Sequence, residues 1–230
     1  MGTAMEEIEV AAMTYIKNDR SLDYDMANRP ALFYRRMWLY MNQAIPFFNK
    51  PPEMLTKLAD YSEPRFDSVN AENDTEQSGA FAVDTGETGY EIVSAGVVGV
   101  DAVGTPVYTP LTVVEYDPET GVVQLEGHVE AGAEITFDFY ASGMFAQPLN
   151  RTEIGLLAYC IYAVYELRSD NNQLERITKI RDGMFTTISE ASNTQANTAR
   201  QREVLDQLFD MLRAYEQNQA YMKTVMHTNF

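Results

Sequence analysis

Lysine and arginine are absent from the middle of this chain. Neither occurs between Arg65 and Arg151, whereas the stretch from Asp67 to Asp138 carries fifteen acidic side chains. Of the formal net charge of −17, residues 61–149 contribute −15, from sixteen acids and one base. Nucleic-acid binding draws its free energy from basic side chains that displace counterions. This composition therefore disfavours binding to nucleic-acid phosphates. Repulsion of polyanions, attraction of a basic partner, and solubility alone are the three uses that such charge allows.

Residue types that build catalytic and metal sites are also scarce. The single cysteine, Cys160, lies in an apolar run, so we expect a buried thiol, and one cysteine excludes an intrachain disulfide. The two histidines, His128 and His227, have no neighbouring ligands that would complete a zinc site. Phosphate-binding, dinucleotide-binding and nucleophile-elbow motifs are missing. The sequence therefore predicts no catalytic residues, no metal and no cofactor, and a protein that is not an enzyme.

Carboxylates are the one abundant chemical group. Two of them could catalyse glycoside hydrolysis if they met across a cleft with opposite pKa shifts. Most alternate with apolar residues in predicted strands, which indicates a solvated sheet face instead. Asn70, Glu72 and Asp74 alternate as calcium ligands do, but the glycine and final glutamate of a helix-loop-helix calcium site are missing.

Long apolar runs are lacking as well. Neither terminus carries an apolar run long enough to span a bilayer, and the acidic start of the chain has no secretory pattern. We therefore expect a soluble protein that is made and used in a cytoplasm and has no membrane partner.

Helical periodicity is present on both sides of the acidic region. Thr3 and Glu6 fit a capping box before the first helix, and Pro30 fits the first turn of the second. The segment after Pro148 has apolar residues on nearly every side, which predicts the central, most buried helix. A polar stretch at 191–198 predicts either a break in the chain or an exposed segment. The predicted helical segments are 3–18, 28–46, 51–61, 152–167, 174–188 and a last helix with Leu205, Leu208 and Leu212 on its stripe.

Period-two alternation replaces helical periodicity in the middle. Asp117 to Gly121 has the proline and glycine of a reversing turn, and Ile135, Phe137 and Phe139 share one face of a strand. Residues 63–78 read as a flexible polar linker. The predicted strands are 81–84, 90–93, 97–100, 107–116, 122–126 and 135–140.

Together these patterns predict an α+β protein in which the N- and C-terminal segments form a helical bundle with an inserted small antiparallel β-sandwich or barrel. The predicted domains are a helical scaffold over 1–62, the linker over 63–78, an acidic β insertion over 79–149, and a second scaffold segment with a docking tail over 150–230.

The run VVEYDPETGVVQLEGHVEAGAEITFDFYASG resembles a β-hairpin that recurs in structural proteins of tailed bacteriophages. The residues that carry the resemblance are Tyr116, Asp117, Gly121, Val123, Leu125, Ala131, Gly132, Ile135, Phe137 and Tyr140. A helical scaffold with a β insertion, a long helix and a polar tail is similar to the head-to-tail connector, or adaptor, proteins that lie beneath the portal.

This resemblance implies a non-enzymatic protein of the virion neck, assembled in the host cytoplasm. It implies a ring of about a dozen copies that contacts itself, the portal protein and a downstream neck or tail-completion protein. DNA would pass through the ring without specific binding. The terminal segment of such adaptors docks on the portal, and the matching candidates here are Tyr221, Met222, Val225, Met226 and Phe230.

Other interpretations remain open from the sequence. The last helix could instead continue and pack on its own chain. The protein could be a different neck or tail-completion protein, or a phage tail or surface protein whose acidic β module recognises a glycan or a protein. A carboxylate-dependent hydrolase is the enzymatic alternative.

Overall fold

The computed structural model describes residues 2–17, 19–100, 106–180 and 188–228, and it describes their side chains except at 100, 106, 169–180, 188–197 and 225–228. Within these ranges the protein is a mixed α+β fold with six α-helices and three antiparallel sheets, none of them closed into a barrel. The helices are α1 (Met5–Met13), α2 (Arg20–Asn28), α3 (Pro30–Ala44), α4 (Glu53–Ala59), α5 (Arg151–Ile180) and α6 (Ile188–Thr228). The strands are β1 (Thr3–Ala4), β2 (Tyr61–Ser62), β3 (Arg65–Asn73), β4 (Gln77–Asp84), β5 (Glu91–Val100), β6 (Pro106–Pro110), β7 (Thr112–Asp117), β8 (Val122–Val129), β9 (Ala133–Ala141) and β10 (Met144–Phe145).

The chain divides into two compact units. The helical unit comprises 1–18, 37–62 and 144–230, and the β unit comprises 19–36 and 63–143. Residues 19–36 thus group with the strands, although the sequence placed them in the N-terminal scaffold. No helix in the described ranges has both the length and the apolarity that a membrane span requires.

Helix α5 is the most enclosed element of the helical unit. Six consecutive residues, from Leu156 to Ile161, are buried, which is more than one full turn of 3.6 residues. Every side of the helix is therefore covered at that level, and Cys160 is buried as predicted. Helix α6 buries one stripe instead, formed by Val204, Leu208, Leu212 and Tyr215.

Several predicted helix ends differ from the structure. The Thr3–Glu6 capping box does not form: Ala4 is the N-cap of α1, and Thr3 accepts a hydrogen bond from the Leu149 N–H at 2.7 Å. Helix α2 was not predicted, although Asp19 caps it by accepting hydrogen bonds from two backbone N–H groups. The polar stretch at 191–198 does not break the chain but continues within α6. Part of the stripe predicted over 174–188 lies outside the described residues.

Two sheets make up most of the β unit. Sheet B has the strand order β3-β9-β5-β6, and sheet C has the order β4-β8-β7. Both contribute to one apolar cluster, in which Phe137 and Phe139 from β9 meet Val123 and Leu125 from β8. The third sheet, sheet A, has the order β1-β10-β2 and belongs to the helical unit.

The predicted turn at Asp117–Gly121 is confirmed. The Gly121 N–H donates to the Asp117 carbonyl at 2.8 Å, and Gly121 has φ +76°, which favours glycine. The inward face of Ile135, Phe137 and Phe139 is also confirmed, since all three are buried.

The segment predicted as a flexible linker is instead largely strand. Strand β3 pairs with β9 from Arg65 opposite Ala141 to Asn73 opposite Ala133. Its Val69 and Ala71 pack on the apolar cluster, but polar residues at the alternate positions hide this pattern in the sequence.

The single strand predicted over 107–116 is two strands in two sheets. Strand β6 belongs to sheet B and β7 to sheet C, with Leu111 between them. Pro110 lacks an N–H for a ladder, and the next N–H, of Leu111, donates to the Ala95 carbonyl at 2.8 Å. The proline therefore marks the change of sheet.

Candidate docking surface at the end of helix α6

The first turn of α5 is closed by a reciprocal cap. The Asn150 side-chain oxygen accepts hydrogen bonds from the N–H groups of Thr152 and Glu153 at 2.9 and 3.0 Å. The Glu153 carboxylate in turn accepts from the Asn150 N–H at 2.7 Å. This is the geometry of a capping box, and it fixes where α5 begins.

Glu153 also joins three helices. Its Oε2 accepts from the Lys57 ammonium of α4 at 2.6 Å, and its Oε1 accepts from the Tyr215 hydroxyl of α6 at 2.7 Å. Glu153 is only 4% exposed. A buried carboxylate with several donors, one of them cationic, orders the groups around it.

The titration behaviour of this cluster follows from its geometry. Burial alone would raise the pKa of Glu153, but hydrogen bonds from Lys57, the Asn150 N–H and Tyr215 outweigh it, so the pKa lies below its ordinary value. Burial raises the pKa of Tyr215, and the adjacent Glu153 carboxylate raises it further. Tyr215 therefore stays a hydrogen-bond donor at neutral pH.

Beyond Tyr215, helix α6 loses its buried stripe. Tyr221 is 69% exposed and Met222 is 52% exposed, although both are large apolar side chains. Lys223 forms an exposed ion pair with Glu53 of α4 at 2.5 Å, so this end of the helix lies near α4. The turn therefore presents apolar side chains to solvent in a defined position.

An open cleft of about 370 Å³ lies beside these turns. Its walls come from the first turn of α5 and the last described turns of α6, which Glu153 and Tyr215 hold together. The lining residues are Asn150, Arg151, Thr152, Tyr215, Asn218, Gln219 and Met222. The cleft thus combines amide and hydroxyl groups with the Arg151 guanidinium and the exposed side chain of Met222.

The predicted docking residues fall into three groups. Tyr221 and Met222 are exposed on α6 near the cleft. Val225 and Met226 lie on the described backbone of α6, but their side chains are outside the described set. Phe230 lies outside the described residues. The helix continues through Thr228, as one alternative predicted, yet Tyr221 and Met222 are not covered by their own chain.

The groups that the sequence singled out for catalysis or metal binding are dispersed. His128 is exposed on β8, and burial raises the pKa of the Cys160 thiol to about 12, so it holds no thiolate at neutral pH. Asn70 and Glu72 lie on β3, opposite Thr136 and Glu134. Among the residues that the structure describes, no group of three or more His, Cys, Asp or Glu side chains could hold a metal ion.

The sequence interpretation missed the Glu153 cluster. Asn150 and Glu153 have the spacing of a capping box directly before an apolar run, which is a readable signal for the start of α5. No signal in the sequence links Glu153 to Lys57 or Tyr215, because those side chains come from separate helices.

Comparison with known proteins identified no relative of this chain. No family model, curated protein sequence or solved structure matches this chain. Evidence about function therefore comes from the chain's own residues and their geometry.

Proposed function

We propose that this chain is a structural virion protein of a tailed phage, a head-to-tail connector that forms a ring of about a dozen copies between portal and tail. The observation that supports this proposal is the exposed end of α6. Tyr221 and Met222 are exposed there, on a helix whose Tyr215 is fixed by its hydrogen bond to Glu153. Tyrosine and methionine are enriched in protein interfaces, and a preordered helix loses little entropy when it docks. The portal protein is the proposed partner of this surface.

The proposed architecture is a bundle of the N- and C-terminal helical segments with an acidic β-sandwich inserted between them. The apolar cluster common to sheets B and C supports the sandwich. The assembly of one compact unit from both ends of the chain supports the insertion.

The charge of the β unit fits a protein that DNA passes without being held. Glu72, Glu126, Glu130 and Glu134 are all exposed, and no lysine or arginine occurs between Arg65 and Arg151. Such a surface repels phosphates instead of binding them. The proposed role requires no catalytic residue and no cofactor, and it includes contacts with neighbouring copies and with a downstream neck or tail-completion protein.

The test is co-purification with the portal protein of the same virus. We expect the double substitution Tyr221→Ala, Met222→Ala to reduce portal recovery by roughly tenfold or more, as loss of two interface anchors should. The matched control is Tyr24→Ala, Met26→Ala, which removes the same two residue types at 53% and 48% exposure on α2. Portal recovery that is unchanged in the first variant, or equally reduced in both, would contradict the proposal.

Deletion of residues 221–230 extends this test. Because Tyr221 and Met222 are mostly exposed, the truncated chain should keep its melting temperature while it loses portal binding. Labelling virions with an antibody fragment against residues 79–149 gives an independent measurement. Label at the head-to-tail junction supports the neck assignment, whereas label on tail fibres favours the binding-protein alternative.

A further inference from the structure

A carboxylate is held at the centre of the outer face of sheet B. Ser68 of β3, Asp138 of β9 and Ser94 of β5 lie side by side in register. The two Asp138 oxygens accept hydrogen bonds from the hydroxyls of Ser68 at 2.6 Å and Ser94 at 2.8 Å. Both donors are neutral hydroxyls, so the carboxylate is fixed without a salt bridge from either neighbour. We name these three residues the polar row.

An anchored aromatic ring extends the polar row on one side. A Cβ atom at Gly96 would lie 2.4 Å from Cζ of Tyr108 and 2.6 Å from its hydroxyl oxygen, so the ring occupies the space that a side chain at Gly96 would fill. The Tyr108 hydroxyl is hydrogen-bonded to Ser94. Tyr108 is nevertheless 42% exposed, which leaves part of its ring open to solvent.

A second aromatic group bounds the same face. Tyr140 lies two residues beyond Asp138 on β9, so it shares the outward direction. Its ring is stacked under Tyr34 of α3, with centroids 4.1 Å apart and planes 3° from parallel. On the other side of Asp138 along β9, Thr136 adds a further hydroxyl group. The polar row therefore lies between an exposed ring and a covered one.

We infer that this face of sheet B binds a neutral carbohydrate, with the ring of Tyr108 against a sugar face and the polar row hydrogen-bonded to sugar hydroxyls. With their protons donated to Asp138, the hydroxyls of Ser68 and Ser94 keep lone pairs that can accept hydrogen bonds, which matches a ligand that carries many hydroxyl donors. An aromatic ring with a polar tip suits a ligand that has an apolar face and polar edges. In other antiparallel folds, a sheet face together with neighbouring loops binds oligosaccharides.

Other ligand classes fit this face less well. An anionic ligand would approach a region without lysine or arginine from Phe66 to Asn150. An apolar ligand would cover the Asp138 carboxylate and the hydroxyls of Ser68 and Ser94 without offering them a hydrogen bond. A metal ion needs several converging ligands, and in the part of the chain that the structure describes no group of three or more His, Cys, Asp or Glu side chains could hold one. The inference does not rest on the proposed role in the virion neck.

The first experiment screens the full chain on an array of neutral, acidic and basic oligosaccharides, followed by calorimetric titration of the strongest neutral ligand. We expect a dissociation constant of about 1 mM or tighter. Tyr108→Ala and Asp138→Asn should each weaken binding by roughly tenfold, the equivalent of one good aromatic or charge-assisted contact. Tyr108→Phe keeps the ring, so it should weaken binding less than Tyr108→Ala. If the alanine variant unfolds, Tyr108→Phe replaces it as the test of the tyrosine side chain.

Matched controls separate this site from general effects. Tyr24→Ala removes another exposed tyrosine, and Asp74→Asn removes another exposed acid; both should leave binding within about twofold of the parent. Absence of any neutral ligand at millimolar concentration would overturn the inference, as would binding that Tyr108→Ala and Asp138→Asn leave unchanged. A preference for the basic oligosaccharides that Asp74→Asn and Asp138→Asn weaken equally would mean general attraction of cations, which also overturns it.

Discussion

The Tyr215 hydroxyl of α6 donates a 2.7 Å hydrogen bond to Oε1 of Glu153, whose Oε2 is held by Lys57 of α4. Three helices from different parts of the chain therefore meet at one buried carboxylate. The same contact positions the turns of α6 that lead to Tyr221 and Met222. Stability of the cluster and presentation of the docking surface are thus linked through Glu153.

Replacing Glu153 should destabilise the helical unit strongly. Glu153→Ala leaves the Lys57 ammonium, the Asn150 N–H and the Tyr215 hydroxyl without their acceptor, which costs about 2–4 kcal/mol of unfolding free energy. Urea unfolding followed by far-UV circular dichroism measures the change. The control is Glu53→Ala, which also removes a lysine partner but at an exposed site, and it should change stability little. Equal effects of the two substitutions would contradict the central role of Glu153.

Acid should weaken the cluster in a defined pH window. The folded-state pKa of Glu153 is depressed below its ordinary value of 4.5, so the folded state favours the carboxylate more than the unfolded chain does. This stabilisation is complete above the unfolded pKa and is lost as the pH falls through the folded-state pKa. Unfolding free energy measured from neutral pH down to about pH 3 should fall less steeply in Glu153→Gln than in the parent. Identical slopes would assign the acid sensitivity to other carboxylates.

Gly121 should tolerate no side chain. Its φ is +76°, and an added Cβ would lie 2.7 Å from the Glu87 carbonyl oxygen and 2.9 Å from the Glu87 nitrogen. Gly121→Ala combines backbone strain with a collision, which should cost about 2 kcal/mol or more. Gly132→Ala is the control, because Gly132 has φ +79° but open space at its Cβ position, and it should cost about 1 kcal/mol. Thermal unfolding of both variants gives the comparison, and an equal loss would show that the collision is relieved.

The boundaries of the β unit can be tested with fragments. Residues 79–149, the predicted insertion, lack β3, which pairs with β9 along its length and covers the apolar cluster with Val69 and Ala71. We expect this fragment to aggregate or to show a poorly dispersed NMR spectrum, because β9 would become an exposed edge strand. Residues 63–143 restore β3 and should give a better dispersed spectrum. A well-folded 79–149 fragment would show that β3 is dispensable.

Local patterns predicted the features that depend on near neighbours. Proline and glycine in the Asp117–Gly121 segment specify a turn wherever they occur, and alternation at Ile135, Phe137 and Phe139 specifies which side of a strand faces a core. The apolar surroundings of Cys160 likewise predicted its burial. Strand β3 was not predicted, because its many polar residues are typical of a loop. Its strand conformation is evident only from its pairing with β9.

The sequence by itself determined the charge division, the α+β class and the main turn. Whether the apolar residues near the end of α6 pack on their own chain stayed open, and the structure leaves Tyr221 and Met222 exposed. Only the tertiary structure decided that Glu153 meets Lys57 and Tyr215, and that Asp138 lies between Ser68 and Ser94. Turn and strand patterns act between residues that are adjacent in the chain, so they can be read from order alone. Hydrogen bonds between distant segments depend on strand register and helix packing, which the whole apolar core selects and no local pattern encodes.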